Sequence, residues 1–149
     1  MKKFFIFDID NTISDASARA HLAHAKKWDE FHSAAIGDPK ISDVVALLEC
    51  AAQFFDVVLL TGRNEKFRNL TMEWLSRHDL DFHVDEILMR PDDDFSPSGE
   101  VKSRLLYAWF GSKEKALESV IMIIDDEDKV VEHLRNEGFT VLQTNSRGL

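Results

Sequence analysis

Asp8 and Asp10 stand one residue apart at the end of the apolar run Phe4-Phe5-Ile6-Phe7, and Asn11 and Thr12 follow them directly. Ionised carboxylates are costly to bury without a partner, so an acidic pair joined to a buried-strand signal calls for a cation or a reaction. Three further polar groups stand in comparable places: Thr61-Gly62-Arg63 after the run Asp56 to Leu60, Lys102 at the start of a helical pattern, and Asp125-Asp126 after the run Val120 to Ile124. Carboxylates gathered at one point repel unless a cation sits among them, and an all-oxygen donor set favours Mg²⁺. A lysine and a threonine hydroxyl nearby suit the oxygens of a phosphoryl group. A carboxylate can also attack phosphorus and form an acyl phosphate, which splits a hydrolysis into two steps. Taken singly, each group has a plain alternative: the acidic pair or Asp125-Asp126 as helix caps, Thr61-Gly62-Arg63 as a turn. Their order along the chain, each after its own element, carries the weight.

Elements able to bring these groups together can be read from the apolar pattern. Strands are expected at Phe4 to Phe7, Asp56 to Leu60, Phe82 to Met89, Val120 to Ile124 and Thr140 to Gln143. Helical spacing links Ile41, Val44, Val45, Leu48, Ala51, Ala52 and Phe55. It recurs from Phe67 to Leu75, from Val101 to Phe110 and from Val130 to Leu134, with Ser98 a candidate cap before Lys102 and Gly138 a helix stop. Continuous apolar strands alternating with helices predict an α/β fold, a doubly wound parallel sheet covered on both faces. In such a sheet all strands end on one edge, where the four groups can meet. Residues 14–39 break the alternation and read as one or two short helices, a small cap inserted above Asp8 and Asp10; an ordinary helix on the sheet face is the alternative. The loop Arg90 to Pro97 reads as a solvated turn.

The 149 residues suit one domain over 1–149, with 44 % hydrophobic and 30 % charged residues. A net charge of −9 argues against broad, sequence-blind binding of duplex nucleic acid. Cys50 is the sole cysteine, so no intrachain disulfide forms, and its apolar neighbours predict core packing. No run reaches the roughly 18 apolar residues of a membrane span, and the apolar stretch before Asp8 is too short for a signal peptide. A cytoplasmic protein without membrane contact is the expectation.

In sequence, Asp8-Ile9-Asp10-Asn11-Thr12, Leu60-Thr61-Gly62-Arg63, Lys102 and Ile124-Asp125-Asp126 resemble the four signature motifs of the haloacid dehalogenase superfamily of phosphatases. The resemblance implies that Asp8 is the nucleophile and that Asp10 protonates the leaving oxygen and later activates water. It implies that Thr61 bonds the phosphoryl group and Lys102 balances charge. Asp8, the carbonyl of Asp10 and Asp125 would hold Mg²⁺, with Asp126 as a direct or indirect partner. Within the superfamily the chain is most similar to the 3′-phosphatase domain of phage-type polynucleotide kinase/phosphatases, through Arg63, Trp28-Asp29-Glu30-Phe31, Met89-Arg90-Pro91-Asp92-Asp93 and Trp109-Phe110. That likeness implies substrate-phosphate binding by Thr61, Gly62, Arg63 and Lys102. It also implies a substrate that is the 3′-phosphate end of DNA or RNA, or a nucleotide. Two departures stand out. No G-x-x-x-x-G-K-[ST] occurs, so a kinase or ligase partner is expected from another protein. Some relatives carry an Asp one turn before the lysine, where this chain has Ser98, so acidic support for Lys102 must come from elsewhere.

Several other residues have two readings each. His21, His24 and His32 could suggest a metal site but lack accompanying thiols or carboxylates, while Arg19 and His21 could line the cap above the phosphate. Trp28 and Phe31, three apart, suit packing of the insert or stacking on a base. Glu127 and Asp128 favour the start of the last helix. Two functions compete with a nucleic-acid-end phosphatase: a phosphatase of mononucleotides or another small metabolite, and a non-catalytic binding domain, which would have no need of both Asp8 and Asp10.

Overall fold

A computed structural model describes residues 2–145. The expectation of one domain also covers Met1 and residues 146–149, which lie outside the described residues. The strands are β1 (Phe4–Phe7), β2 (Asp56–Asn64), β3 (Glu86–Arg90), β4 (Val120–Asp125) and β5 (Val141–Gln143). The helices are α1 (Ala20–His24), α2 (Trp28–Ser33), α3 (Ser42–Ala51), α4 (Arg68–Arg77), α5 (Ser98–Phe110), α6 (Lys113–Ser119) and α7 (Asp128–Asn136). The strands form one parallel sheet in the order β3-β2-β1-β4-β5. From β1 the chain first winds to β2 and β3 and then returns to the other side for β4. A crevice therefore opens at the carboxyl ends of β1 and β4, the switch point where open sheets hold ligands.

Alternation along the strands divides the core. Phe7, Val57 and Leu59 face α3 and α4 through Val45, Leu48, Trp74 and Leu75. Ile6, Val58 and Leu60 face the other layer, built from Leu106, Ala116, Val130, Val131 and Leu134. Both faces are covered, as the uninterrupted apolar runs require. α5 and α7 approach closely at Gly99, where an added Cβ would lie 2.8 Å from the Cβ of His133.

Residues 14–39 form a helical insert whose ends are closed together. The Asp15 amide donates to the Pro39 carbonyl at 2.8 Å and the Ile41 amide to the Ile13 carbonyl at 2.7 Å. Ala16, Ala23 and Phe31 give the insert a small apolar centre of its own, and the Trp74 indole donates to the Asp38 carbonyl at 2.8 Å.

Four local expectations are corrected. β2 runs on through Asn64, so Thr61, Gly62 and Arg63 belong to the strand; its ladder to β3 shifts register between Thr61 and Asn64. β3 begins only at Glu86, because residues 81–83 form a 3₁₀ turn and leave Phe82 exposed. Ser98 opens α5 rather than capping it: Pro97 is the N-cap, and the Ser98 hydroxyl accepts from Arg90 at 3.0 Å. Cys50 is exposed, because the buried stripe of α3 runs through Val45, Leu48 and Ala51 and turns position 50 to solvent. The apolar pattern gives no sign of α6, since it buries little beyond Ala116.

Candidate active site

The turn after β1 aims the acidic pair. The Asp8 amide donates to the Ile124 carbonyl at 2.9 Å, tying the ends of β1 and β4 together. The amides of Thr12, Ile13 and Ser14 all converge on the Ile9 carbonyl, at 3.0–3.1 Å. Such a tight reversal puts Asn11 at φ 61°, a conformation Asn tolerates, and its side-chain oxygen accepts from the Ala16 amide at 2.9 Å. Asp8 and Asp10 thus leave the strand toward the cleft while Ile9 stays in the core.

Lys102 reaches this point from α5. Its Nζ donates to Asp8 at 2.8 Å and to Asp125 at 2.6 Å, and all three side chains are buried. Asp8 and Asp125 therefore provide the acidic support that Ser98 cannot. The Thr12 hydroxyl donates to Asp8 at 2.9 Å, with Asp126 at 3.3 Å. Burial and the adjacent Asp125 raise the Asp8 carboxyl well above its ordinary range, against the pull of Lys102. Burial and Asp125 also push Asp126 up to about 6. For Lys102, burial opposes the ammonium, but Asp125 and Asp8 outweigh it and hold the charge. Oxygen atoms of Asp8, Asp125 and Asp126 lie within 4.8 Å of one another. Three crowded carboxylates sharing one ammonium form a hard, all-oxygen donor set, which fits a divalent cation such as Mg²⁺.

Asp10 sits in a different environment. Arg63, fully buried, donates to it from Nε at 3.1 Å and from Nη2 at 2.8 Å, and its Nη1 donates to Thr71 at 3.0 Å. Arg19, also buried, pairs with Asp10 and with Asp38 and donates to the Phe31 carbonyl at 3.0 Å. Burial favours the neutral acid, but Arg63, with Arg19 behind it, more than reverses this and holds Asp10 far below the usual carboxylate range. The two acids are thus driven apart by their neighbours. Asp8 has one shared ammonium, Asp10 two guanidiniums.

A cleft of about 940 Å³ opens over these groups. Asp8, Asp10, Gly62, Lys102 and Asp126 line it, while Asp125 is buried and bonded to Lys102. Thr61 and Arg63 are buried below the floor: the Thr61 hydroxyl accepts from the Arg63 amide at 3.1 Å, and the Arg63 guanidinium is turned to Asp10. The histidines do not gather into a site. His21 is exposed, His24 lies at the cleft wall, and His32 packs among Trp28, Phe31 and Phe67. Two parts of the site escaped the motif reading. The sequence places Arg19 only above the phosphate and gives no sign of Asp38. No spacing rule predicts a pairing that closes only when residues 14–39 fold back on themselves.

Haloacid dehalogenase-like hydrolases share this parallel-sheet fold. A haloacid dehalogenase-like hydrolase from Streptococcus pneumoniae superposes with a TM-score of 0.69 over 98 % of this chain and 88 % of its own, at 14 % identity. The Bacillus subtilis HAD-hydrolase YfnB, in a structure bound to magnesium, does so with 0.69 over 96 % and 86 %, also at 14 % identity. At that identity they speak for the fold alone. The family model of the polynucleotide kinase PNKP phosphatase domain matches residues 2–148. The chain belongs to that family and is a haloacid dehalogenase-type phosphatase. Chains of two structures of the Pnkp1/Rnl/Hen1 complex, one described as an RNA repair complex, match all of this chain at 25 % and 26 % identity with TM-scores of 0.79 and 0.80. The match takes in 44 % and 48 % of those chains, so this chain spans less than half their length. No curated protein matches. No helix among the described residues is long and apolar enough to cross a membrane.

Proposed function

We propose that this phosphatase is a Mg²⁺-dependent phosphomonoesterase that removes 3′-phosphates from polynucleotide ends through an aspartyl phosphate on Asp8. The observation that carries the chemistry is the buried triangle of Asp8, Lys102 and Asp125, with Asp10 two residues on and Asp126 beside it. Asp8, Asp125, Asp126 and the Asp10 backbone would hold the cation, which when bound neutralises carboxylate and phosphoryl charge. Lys102 holds one Asp8 oxygen and Thr12 the other, fixing the carboxylate for attack. An Asp8 oxygen bonds to phosphorus as the phosphorus–oxygen bond to the substrate breaks, and Asp10 gives the departing oxygen its proton. Water then attacks the same phosphorus, Asp10 takes the water's proton, and Asp8 is released as carboxylate. The arginine clamp suits Asp10 to the second step, in which it must start ionised. In the first step its carboxyl has to carry a proton, so incoming phosphate must draw Arg19 or Arg63 away from it. Gly62 lines the floor on which that phosphate rests, with Thr61 and Arg63 buried beneath it.

Support for a 3′-end substrate comes from the family and from the likeness to chains of the RNA repair complex. The RNA repair complex to which one of those chains belongs also supports repair partners for this chain. The test is turnover with Mg²⁺ of 3′-phosphorylated RNA and DNA oligonucleotides, 3′- and 5′-mononucleotides and sugar phosphates. The 3′-phosphates are expected to be preferred, with activity lost in excess chelator. A sugar phosphate or 5′-mononucleotide hydrolysed faster than any 3′-phosphate would overturn the substrate; metal-independent turnover would overturn the Asp125 assignment.

A further inference from the structure

Two large aromatic side chains stand exposed on the walls of the catalytic cleft: Trp28, 51 % exposed on α2, and Phe95, 89 % exposed on the loop between β3 and α5. Exposed apolar residues scattered singly mean little. These two border one cleft with the nucleophile, and they come from different parts of the chain. Trp28 is also held in place, meeting Phe31 edge-on at 5.8 Å and stacking against His32 at 6.4 Å. Phe31 and His32 are both buried, so the indole is a braced plate rather than a loose side chain.

The rest of the rim repels a long polyanion. Asp29, Asp92, Asp94, Glu127 and Asp128 line it. Of its cations, Lys66 pairs with Asp29 at 2.8 Å and Arg90 donates to the carbonyls of Gly62, Asp94 and Ser96, which leaves Lys129 alone among the acids. Backbone-tracking proteins need free lysines and arginines along the strand. Aromatic plates need none, because every base offers a π-face.

We infer, building on the 3′-phosphatase reading, that Trp28 and Phe95 are the specificity determinants of this site, that they stack the terminal base of the substrate, and that the acidic rim restricts recognition to one or two nucleotides at the end. Affinity then comes from base stacking rather than from phosphate contacts along the strand.

The experiment measures kcat/KM for a 3′-phosphorylated oligonucleotide, for the same oligonucleotide lacking its terminal base, and for a 3′-phosphorylated dinucleotide, in the wild type and in Trp28→Ala, Trp28→Phe and Phe95→Ala. The expected result is a wild-type preference for the base-bearing end that falls by roughly tenfold in Trp28→Ala and in Phe95→Ala, largely through KM, and returns in Trp28→Phe. The dinucleotide should match the oligonucleotide to within a few-fold, with a log–log salt slope near that of one or two phosphates. Phe95→Ala removes a side chain with almost no contacts, so its result is independent of folding. Equal losses on base-bearing and base-free ends, or no loss in either alanine variant, would overturn the stacking. A steep salt slope with strong preference for the longer strand would overturn the short footprint. Failure of the underlying reading is seen separately, in the wild type, as no turnover of any 3′-phosphate.

Discussion

Replacing Asp8, the proposed nucleophile, should make the protein inactive and, without metal, more stable. Asp8→Asn keeps the volume of the side chain and removes one of three crowded carboxylates. Burial and Asp125 raise the Asp8 carboxyl even with Lys102 beside it, so ionised Asp8 costs the folded state stability. A carboxyl raised on folding contributes stability that is complete below its unfolded value of about 3.8 and lost as pH rises through its folded value. As pH rises above about 3.8 the wild type gives up that contribution and the Asn variant does not. Against the gain, Asn cannot accept well from both Lys102 and Thr12, a loss of about 1 kcal/mol. Lys102 retains Asp125 at 2.6 Å, so the ammonium is not orphaned. A net gain of about 1–2 kcal/mol, of the size seen when strained functional sites are relieved, moves Tm by about 3–6 °C for a chain of this length. The assay is thermal unfolding in chelator at neutral pH and near pH 4, repeated with Mg²⁺, alongside turnover. The gain should shrink on acidification. Mg²⁺ at about 100 times its Kd should stabilise the wild type by about 2.7 kcal/mol and close or reverse the gap, while kcat falls by about 10⁴-fold or more. An Asn variant that melts below the wild type in chelator at neutral pH, or a gain indifferent to pH, would refute the electrostatic reasoning.

Three further perturbations probe the surroundings. Arg63→Gln removes two bonds to Asp10 from a buried pair and should cost about 3–5 kcal/mol in urea unfolding. With Arg63 gone it is chiefly Arg19 that opposes burial, so Asp10 holds its proton to higher pH than in the wild type and the acidic limb of the kcat profile should move toward neutrality. His32 is pushed down to about 4 by burial, with Arg63 and Arg19 opposing its charge and Asp10 and Asp29 favouring it. Its contribution to stability is therefore complete above about pH 6.5 and lost as pH falls through about 4, up to about 3 kcal/mol; a His32→Phe variant should lack that share of the acid sensitivity in urea titrations at stepped pH. Gly99→Ala places a Cβ 2.8 Å from His133 Cβ, and forcing α5 from α7 should cost about 1–3 kcal/mol by thermal melting and lower kcat, because Lys102 rides on the same helix.

Much of this molecule is legible from local pattern. The uninterrupted apolar runs of β1, β2 and β4 could belong only to a sheet covered on both faces, and the polar groups at their ends had to share an edge. Asp8, Asp10 and Asp125-Asp126 could be read from this logic because parallel strands send their ends to one edge, and Lys102 because it stands in the first turns of a helix. Errors fell where burial is decided by distant partners. Phe82 has a strand-former's side chain but no neighbour to cover it, and Cys50 sits one position off the buried stripe of its helix.

The acidic pair after β1 shows where local information ends. Residue types and spacing by themselves determined that two carboxylates leave the first strand at the edge where a cation and a phosphoryl group can be held. Only the tertiary structure decided that the two differ, raising Asp8 among Asp125 and Asp126 and clamping Asp10 between Arg63 from β2 and Arg19 from the insert. Ionisation of a buried group depends on which charges lie within a few ångströms of it. That distance is set by how strands and insert pack, not by how far apart the residues stand in the chain.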